Sequence, residues 1–233
     1  MLRVENRSLG NSRIVFSNQT SIHPNLEKVL RRHLEKPFQK NVLDFNQNAF
    51  DCALKAWRAF DESAPLILDS VCGTGQSTVF LAKENPQSFV LGVEKSQNRL
   101  NRQNMFKENP PENCAFVRAD VLDFWRLLAR FLAENHQKLQ RHFLLYPNPY
   151  PKAQHLQRRF HGNAVFPFLA QLGGGFECRT NWQIYADEMA FACAFLTQKH
   201  VSAESFFAEN PISAFEQKYA KSAHQLWRVV CDF

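Results

Sequence analysis

The sequence predicts an α/β fold: a central, mostly parallel sheet with helices on both faces and a C-terminal antiparallel strand pair. Three observations lead to it. From Leu66 onward, short apolar runs alternate with amphipathic stretches in the rhythm of βαβ units. The first run breaks into a glycine turn, Gly73-Thr74-Gly75, ahead of a helical stretch, and the next two runs end close to acids, Glu94 and Asp120. With 233 residues the chain has room for one such sheet and a short extension.

Composition fits this class. Apolar residues make up 45% and charged residues 21%, with only 8 Gly and 11 Pro, which excludes disordered and fibrous chains. No apolar run reaches the roughly 18 to 20 residues of a membrane span, and no apolar signal segment follows Met1, so we expect a cytoplasmic protein without membrane contact. The six cysteines, at 52, 72, 114, 178, 193 and 231, form no CxxC pair or Cys/His cluster, which points to reduced core thiols rather than a metal site.

The formal charge is +6, and residues 1–40 hold eight Lys/Arg against three Glu: Arg3, Arg7, Arg13, Lys28, Arg31, Arg32, Lys36 and Lys40. Clustered cations suit a polyanionic partner, because binding phosphates releases condensed counterions. Residues 1–23, polar and without periodicity, read as a mobile basic arm, and residues 24–233 as a single domain.

In chain order, residues 24–60 read as helical, with apolar positions at Leu26, Val29, Leu30 and Leu34, then Ala53, Leu54, Trp57 and Phe60. Strands are expected at 66–71, 89–94, 114–118, 142–147 and 175–180. Helices fall between and after them, at 76–84, 97–107, 121–134, 163–172 and 182–199. A final antiparallel pair is expected near 204–208 and 225–232.

The segment Leu66-Ile67-Leu68-Asp69-Ser70-Val71-Cys72-Gly73-Thr74-Gly75 runs an apolar strand into a tight turn, where small residues let the backbone approach a nucleoside. Glu94 ends the second strand 25 residues after Asp69, where a carboxylate can accept both ribose hydroxyls of an adenosine-containing cofactor. A dinucleotide would use the same device. The third glycine of GxGxxG is missing, however, which favours S-adenosylmethionine, a cofactor without phosphate. Asp120, just beyond the third strand, suits an adenine amino group. Each acid also has a structural alternative: Asp69 can brace a turn, Glu94 can be a surface charge and Asp120 can cap a helix.

The most specific segment is Tyr146-Pro147-Asn148-Pro149-Tyr150-Pro151-Lys152, followed by His155, Arg158 and Arg159. It resembles the bacterial tRNA (guanine-N7)-methyltransferase family, whose fourth strand ends in a PDPWPK-type segment before a His- and Arg/Lys-rich stretch. Arg179-Thr180-Asn181-Trp182-Gln183-Ile184-Tyr185-Ala186-Asp187-Glu188-Met189 is similar to the family's TDxxxYaxxM segment. Ser213-Ala214-Phe215-Glu216-Gln217-Lys218-Tyr219 is similar to its terminal TxFExR motif. The resemblance implies a Rossmann-like class I methyltransferase that uses S-adenosylmethionine and methylates a variable-loop guanine of tRNA.

By that resemblance Asp69, Gly73, Gly75, Glu94 and Asp120 hold the cofactor, and Asn148, Asn181 and Glu216 surround the reacting base as catalytic residues. Lys152, His155, Arg158, Arg159, Thr180 and Ser213 bind substrate, with the basic residues of 152–159 on phosphates. Trp182 and Tyr185 suggest base stacking, but their spacing fits core packing for at least one. The sequence departs from the family pattern at Val71, Asn148 and Asn181, where the family has Gly, Asp and Asp. Two other readings stay open: an N-methyltransferase of exocyclic amines using Asn148-Pro149-Tyr150, or a cofactor- or RNA-binding relative without catalysis. Oligomeric state is left open by the sequence.

Overall fold

A computed structural model of the chain describes residues 10–102 and 109–233. Two helices, α1 (Leu26–Glu35) and α2 (Asp44–Asp61), precede the sheet. The strands are β1 (Leu66–Ser70), β2 (Phe89–Glu94), β3 (Cys114–Arg118), β4 (Arg141–Leu145), β5 (Gly175–Thr180), β6 (Ala203–Phe206) and β7 (Leu226–Asp232). The helices between them are α3 (Gln76–Glu84), α4 (Gln97–Leu100), α5 (Val121–Glu134), α6 (Phe168–Leu172), α7 (Gln183–Thr197) and α8 (Ala214–Lys221). Residues 103–107 of the expected 97–107 helix lie outside the described residues.

The seven strands lie in the order β3-β2-β1-β4-β5-β7-β6. The first five are parallel, and β7 runs antiparallel between β5 and β6. The expected mostly parallel sheet with a C-terminal antiparallel pair is therefore observed. Every residue of β1 and β2 is buried, as expected of inner parallel strands covered on both faces. On one face α2, α5 and α7 bring Phe50, Trp57, Phe124, Trp125, Tyr185 and Met189 into the larger core; a smaller cluster on the other face gathers Leu81, Phe143, Tyr146 and Ile212.

Three boundaries differ from expectation for local reasons. β1 stops at Ser70 because Val71 turns to a positive φ of 57°. β4 stops at Leu145 because Tyr146 is at φ 51° and Pro147 has no N–H to donate. The helix expected over 163–172 begins only at Phe168, since Pro167 disfavours helical geometry in the residue before it. Four of the six cysteines are buried, but Cys52 is exposed and Cys114 half-buried, so the core-thiol expectation holds for four. Among the described residues no helix is long and apolar enough to cross a membrane.

Of the expected arm, residues 1–9 lie outside the described residues. Residues 10–23 lie along the surface with bonds to distant parts of the chain. Gly10 N–H donates to Lys221 O (2.8 Å), Ser17 Oγ to Pro151 O (2.6 Å), and Gln19 Nε2 to Glu188 Oε1 (2.6 Å).

Candidate active site

Strand order reverses between β1 and β4, which are neighbours with crossovers leading away on opposite sides. Crevices at such a switch point, beyond the carboxyl ends of the strands, are where open α/β sheets bind ligands. The glycine turn leaves β1 there, and the Asn148 loop leaves β4 beside it.

In the turn, Gly73 (φ 63°) and Gly75 (φ 82°) take conformations that L side chains rarely adopt. Their surroundings differ. A Cβ on Gly75 would overlap the Phe116 ring, so Gly75 serves packing. A Cβ on Gly73 would meet nothing nearer than the Phe215 ring at 4.0 Å, so the space above Gly73 is open.

Asp69 is fully buried, and its Oδ2 accepts from Ser77 Oγ (2.6 Å) and Thr78 Oγ1 (2.7 Å), bracing the first turn of α3. Its Oδ1 has no partner among the described residues. Burial pushes its carboxyl up to about 6, against the downward pull of the two hydroxyls. Glu94 Oε2 accepts from Gly73 N–H (3.1 Å) and lies 3.4 Å from Arg99 Nη1, while Oε1 accepts from Ser96 N–H (2.8 Å). Glu94 thereby ties the turn to the end of β2. Asp120 Oδ1 caps α5 at Leu122 N–H (3.0 Å), and its Oδ2 pairs with the exposed Lys95 (2.8 Å). The structural alternatives for Asp69 and Asp120 are thus both realised, each using part of the carboxylate.

The β4 loop is strained at both ends, with Tyr146 at φ 51° and Tyr150 at φ 44°. Between them Asn148 is exposed, its Oδ1 accepting from Tyr150 N–H at 3.2 Å. Beneath the loop lies a polar cluster. Glu216 is fully buried; its Oε1 accepts from Arg179 Nη1 (2.8 Å) and its Oε2 has no partner among the described residues. Burial raises the Glu216 carboxyl, with Arg179 opposing. The buried Tyr146 hydroxyl also has no partner among the described residues, and burial with the Glu216 charge raises it.

From α8 a column of rings runs back toward the turn. His224 stacks on Tyr219 (5.3 Å), Tyr219 stacks on Phe215 (6.1 Å), and the Arg99 guanidinium lies over Phe215 (5.9 Å). At its far end Asn181 Nδ2 is 3.0 Å from His224 Nδ1, and His224 Nε2 is 3.0 Å from Ser12 O. Ser12 O can only accept, which places the ring proton on Nε2, and Nδ1 then accepts from the Asn181 amide. An aspartate at 181 has no proton to offer this chain, so the amide has a specific partner.

Residues 63–229 match the family described as "Putative methyltransferase". The chain belongs to this family. It is a divergent member of the bacterial tRNA (guanine-N7)-methyltransferase type and an S-adenosylmethionine-dependent enzyme, as the sequence led us to expect. The tRNA (guanine-N(7)-)-methyltransferases of Escherichia coli (strain K12) and Shigella flexneri are each 27% identical to it over 184 residues, covering 74% of this chain and 74% of theirs. Among solved structures, an antibiotic related methyltransferase aligns with a TM-score of 0.54 at 14% identity, over 84% of this chain and 97% of that one. The 16S rRNA methyltransferase KamB aligns with a TM-score of 0.53 at 11% identity, over 84% and 98%. These two likenesses are of fold.

The methyltransferase distributes its basic segment unevenly. Lys152 and Arg158 are exposed and His155 is half-buried, its ring edge-on to Tyr150 at 6.1 Å. Arg159 departs from the expected phosphate role. It is fully buried, pairs with the equally buried Glu188 (Nη1 to Oε2, 2.5 Å), donates from Nη2 to Gln19 Oε1 (3.0 Å), and lies over Trp182 at 4.9 Å. Trp182 and Tyr185 are both buried, which leaves neither ring free for a base. Thr180 Oγ1 accepts from Trp182 N–H, and Ser213 Oγ accepts from Glu216 N–H as the cap of α8, so both hydroxyls serve local structure.

Sequence reasoning missed Glu188, which accepts from Arg159, His161 Nε2 (2.7 Å), Gln19 Nε2 and His23 N–H (2.9 Å). The signal was present: Glu188 sits amid Tyr185, Ala186, Met189, Ala190, Ala192 and Cys193, all buried in α7. A charge within such a helix must be paired. His224 and Ser12 carried no comparable signal.

Proposed function

We propose that this methyltransferase modifies tRNA at guanine N7, in the variable loop. The observation that carries the reading is the placement of the exposed Asn148 loop and the glycine turn on either side of the β1/β4 switch point. Exposed Lys152 and Arg158 immediately beyond the loop support a nucleic-acid substrate, and the relatives whose names specify tRNA (guanine-N(7)-)-methyltransferase support the base.

The residues present fit the methyl donor. Gly73 leaves open space at the turn, Asp69 Oδ1 offers a buried acceptor, Glu94 ends β2, and Asp120 stands just beyond β3. When bound, S-adenosylmethionine supplies an electrophilic methyl group. Guanine N7 presents an unprotonated lone pair in the neutral base, so this chain needs no general base; its work is orientation and support of positive charge on the purine. In this reading the Asn148 amide oxygen accepts from the guanine N1–H and N2 edge, giving position with less electrostatic help than a carboxylate. The Glu216 carboxylate, half satisfied by Arg179, supplies negative potential beneath the loop, and Asn181 fixes the end of β5 through His224. Lys152 and Arg158 meet phosphates.

Incubating the full chain with unmodified tRNA transcripts and labelled methyl donor, followed by nucleoside mass spectrometry, tests this. N7-methylguanosine is expected; absence of methyl transfer, or a methyl group on an exocyclic amine, overturns the reading.

A further inference from the structure

We infer that the outer face of α1 is a track for the RNA backbone, extending the substrate surface well beyond the Asn148 loop. The inference rests on the RNA-substrate reading above. Lys28, Arg32 and Lys36 follow one another at intervals of four, about 6 Å apart along a helix axis, and so share one side of α1 up to its end. All three are exposed, and they line a surface cleft of about 800 Å³.

These cations are uncommitted. Among the described residues none of the three side chains makes an ion pair or hydrogen bond, whereas the neighbouring row is spoken for: Glu27 pairs with Arg31 at 2.6 Å, and Arg31 lies over Phe195 at 5.1 Å. Glu35 also lines the cleft, leaving its six charged lining residues at a net positive balance. Like charges four residues apart on a helix repel, so an unpaired row of three costs a little stability that an anionic ligand recovers.

Position selects the ligand. The cleft is completed by Gln157, from the 3-10 turn Ala153–Arg158 that follows Lys152 and ends at Arg158. His33 Nε2, 3.2 Å from Gly162 O, ties α1 to the chain just beyond that turn. A polyanion entering at Asn148 and following Arg158 thus arrives at Lys28, Arg32 and Lys36. A folded RNA carries evenly spaced phosphates over that length, which an isolated anion or acidic side chain does not.

The test uses the full chain with Lys28→Gln, Arg32→Gln and Lys36→Gln combined, and a matching triple glutamate variant. Affinity for a tRNA transcript is measured by fluorescence anisotropy between about 50 and 200 mM salt, alongside methyl transfer and thermal melting. The slope of log affinity against log salt should fall by about 2 to 3 in the glutamine variant, with a further loss of affinity in the glutamate variant, while melting of the glutamine variant stays level with the wild type or rises slightly, because the side chains are exposed and their mutual repulsion is gone. A slope within about 0.5 of the wild type overturns the track, even if an acidic protein later proves to bind there. If the wild-type chain neither binds nor methylates tRNA, the functional reading itself fails; if it methylates tRNA and the triple variants keep its slope and KM, only the track fails.

Discussion

Replacing Glu188 with Gln removes one charge while keeping the shape of the side chain, and the structure sets the size of the effect. Glu188 and Arg159 are both fully enclosed, and the carboxylate accepts from Arg159, His161, Gln19 and the His23 amide. Burial pushes the Glu188 carboxyl up, but His161 and Arg159 outweigh it and hold the group down at about 2. Against its ordinary value of 4.5, that depression corresponds to about 3 kcal/mol of folding stability. The figure agrees with the roughly 3–5 kcal/mol lost when one partner of a buried pair is removed. For a chain of this size it lowers Tm by about 6–12 °C.

The sign with pH follows from the depressed value. The contribution is complete above about 4.5 and is lost as pH falls toward 2, so wild type and Glu188→Gln should converge in acid and separate at neutral pH. Adding Arg159→Met to Glu188→Gln removes the orphaned cation and should recover part of the loss. Thermal melts from pH 3 to 7 check this, and a neutral-pH Tm within about 2 °C of wild type for Glu188→Gln would refute the reasoning.

Three further outcomes are expected. Gly75→Ala forces a Cβ into the Phe116 ring at a positive φ and should cost more than about 2 kcal/mol in urea denaturation, whereas Gly73→Ala, with open space above it, should cost only about 1 kcal/mol while weakening S-adenosylmethionine binding in a calorimetric titration. Asn148→Ala should lower kcat on tRNA by about 10- to 100-fold and leave melting within about 2 °C, since the exposed side chain has one local bond; equal activity in the variant removes Asn148 from the reaction. Lys152→Gln with Arg158→Gln should raise KM for tRNA with kcat nearly unchanged, and Arg159→Met should instead appear in the melting curve.

The sheet was legible because its inner strands are buried on both faces and so open on apolar runs, as in Leu66–Leu68 and Phe89–Leu91. Helix α5 was legible from end to end because Asp120 caps it and its apolar positions repeat at helical spacing. Arg158 and Arg159 were not distinguishable. They are adjacent and chemically identical, and only the turn of the backbone after Ala153–Arg158 sends one to solvent and the other to Glu188. The bonds of residues 10–23 were equally hidden, because a polar, aperiodic segment takes its conformation from partners more than a hundred residues away.

Those separations bear on how the molecule is assembled. Ser12 is bonded to Ser222 and His224, partners 210 and 212 positions later, and β7, which joins β5 to β6 in the sheet, is the last of the seven strands in chain order. Gly10 and Ser12 therefore find their place only once α8 and the turn after it have formed. The bonds of Ser17 and Gln19 need the chain only as far as Glu188, whereas those of Gly10 and Ser12 need α8 and the turn after it, so the two ends of this stretch depend on different parts of the fold.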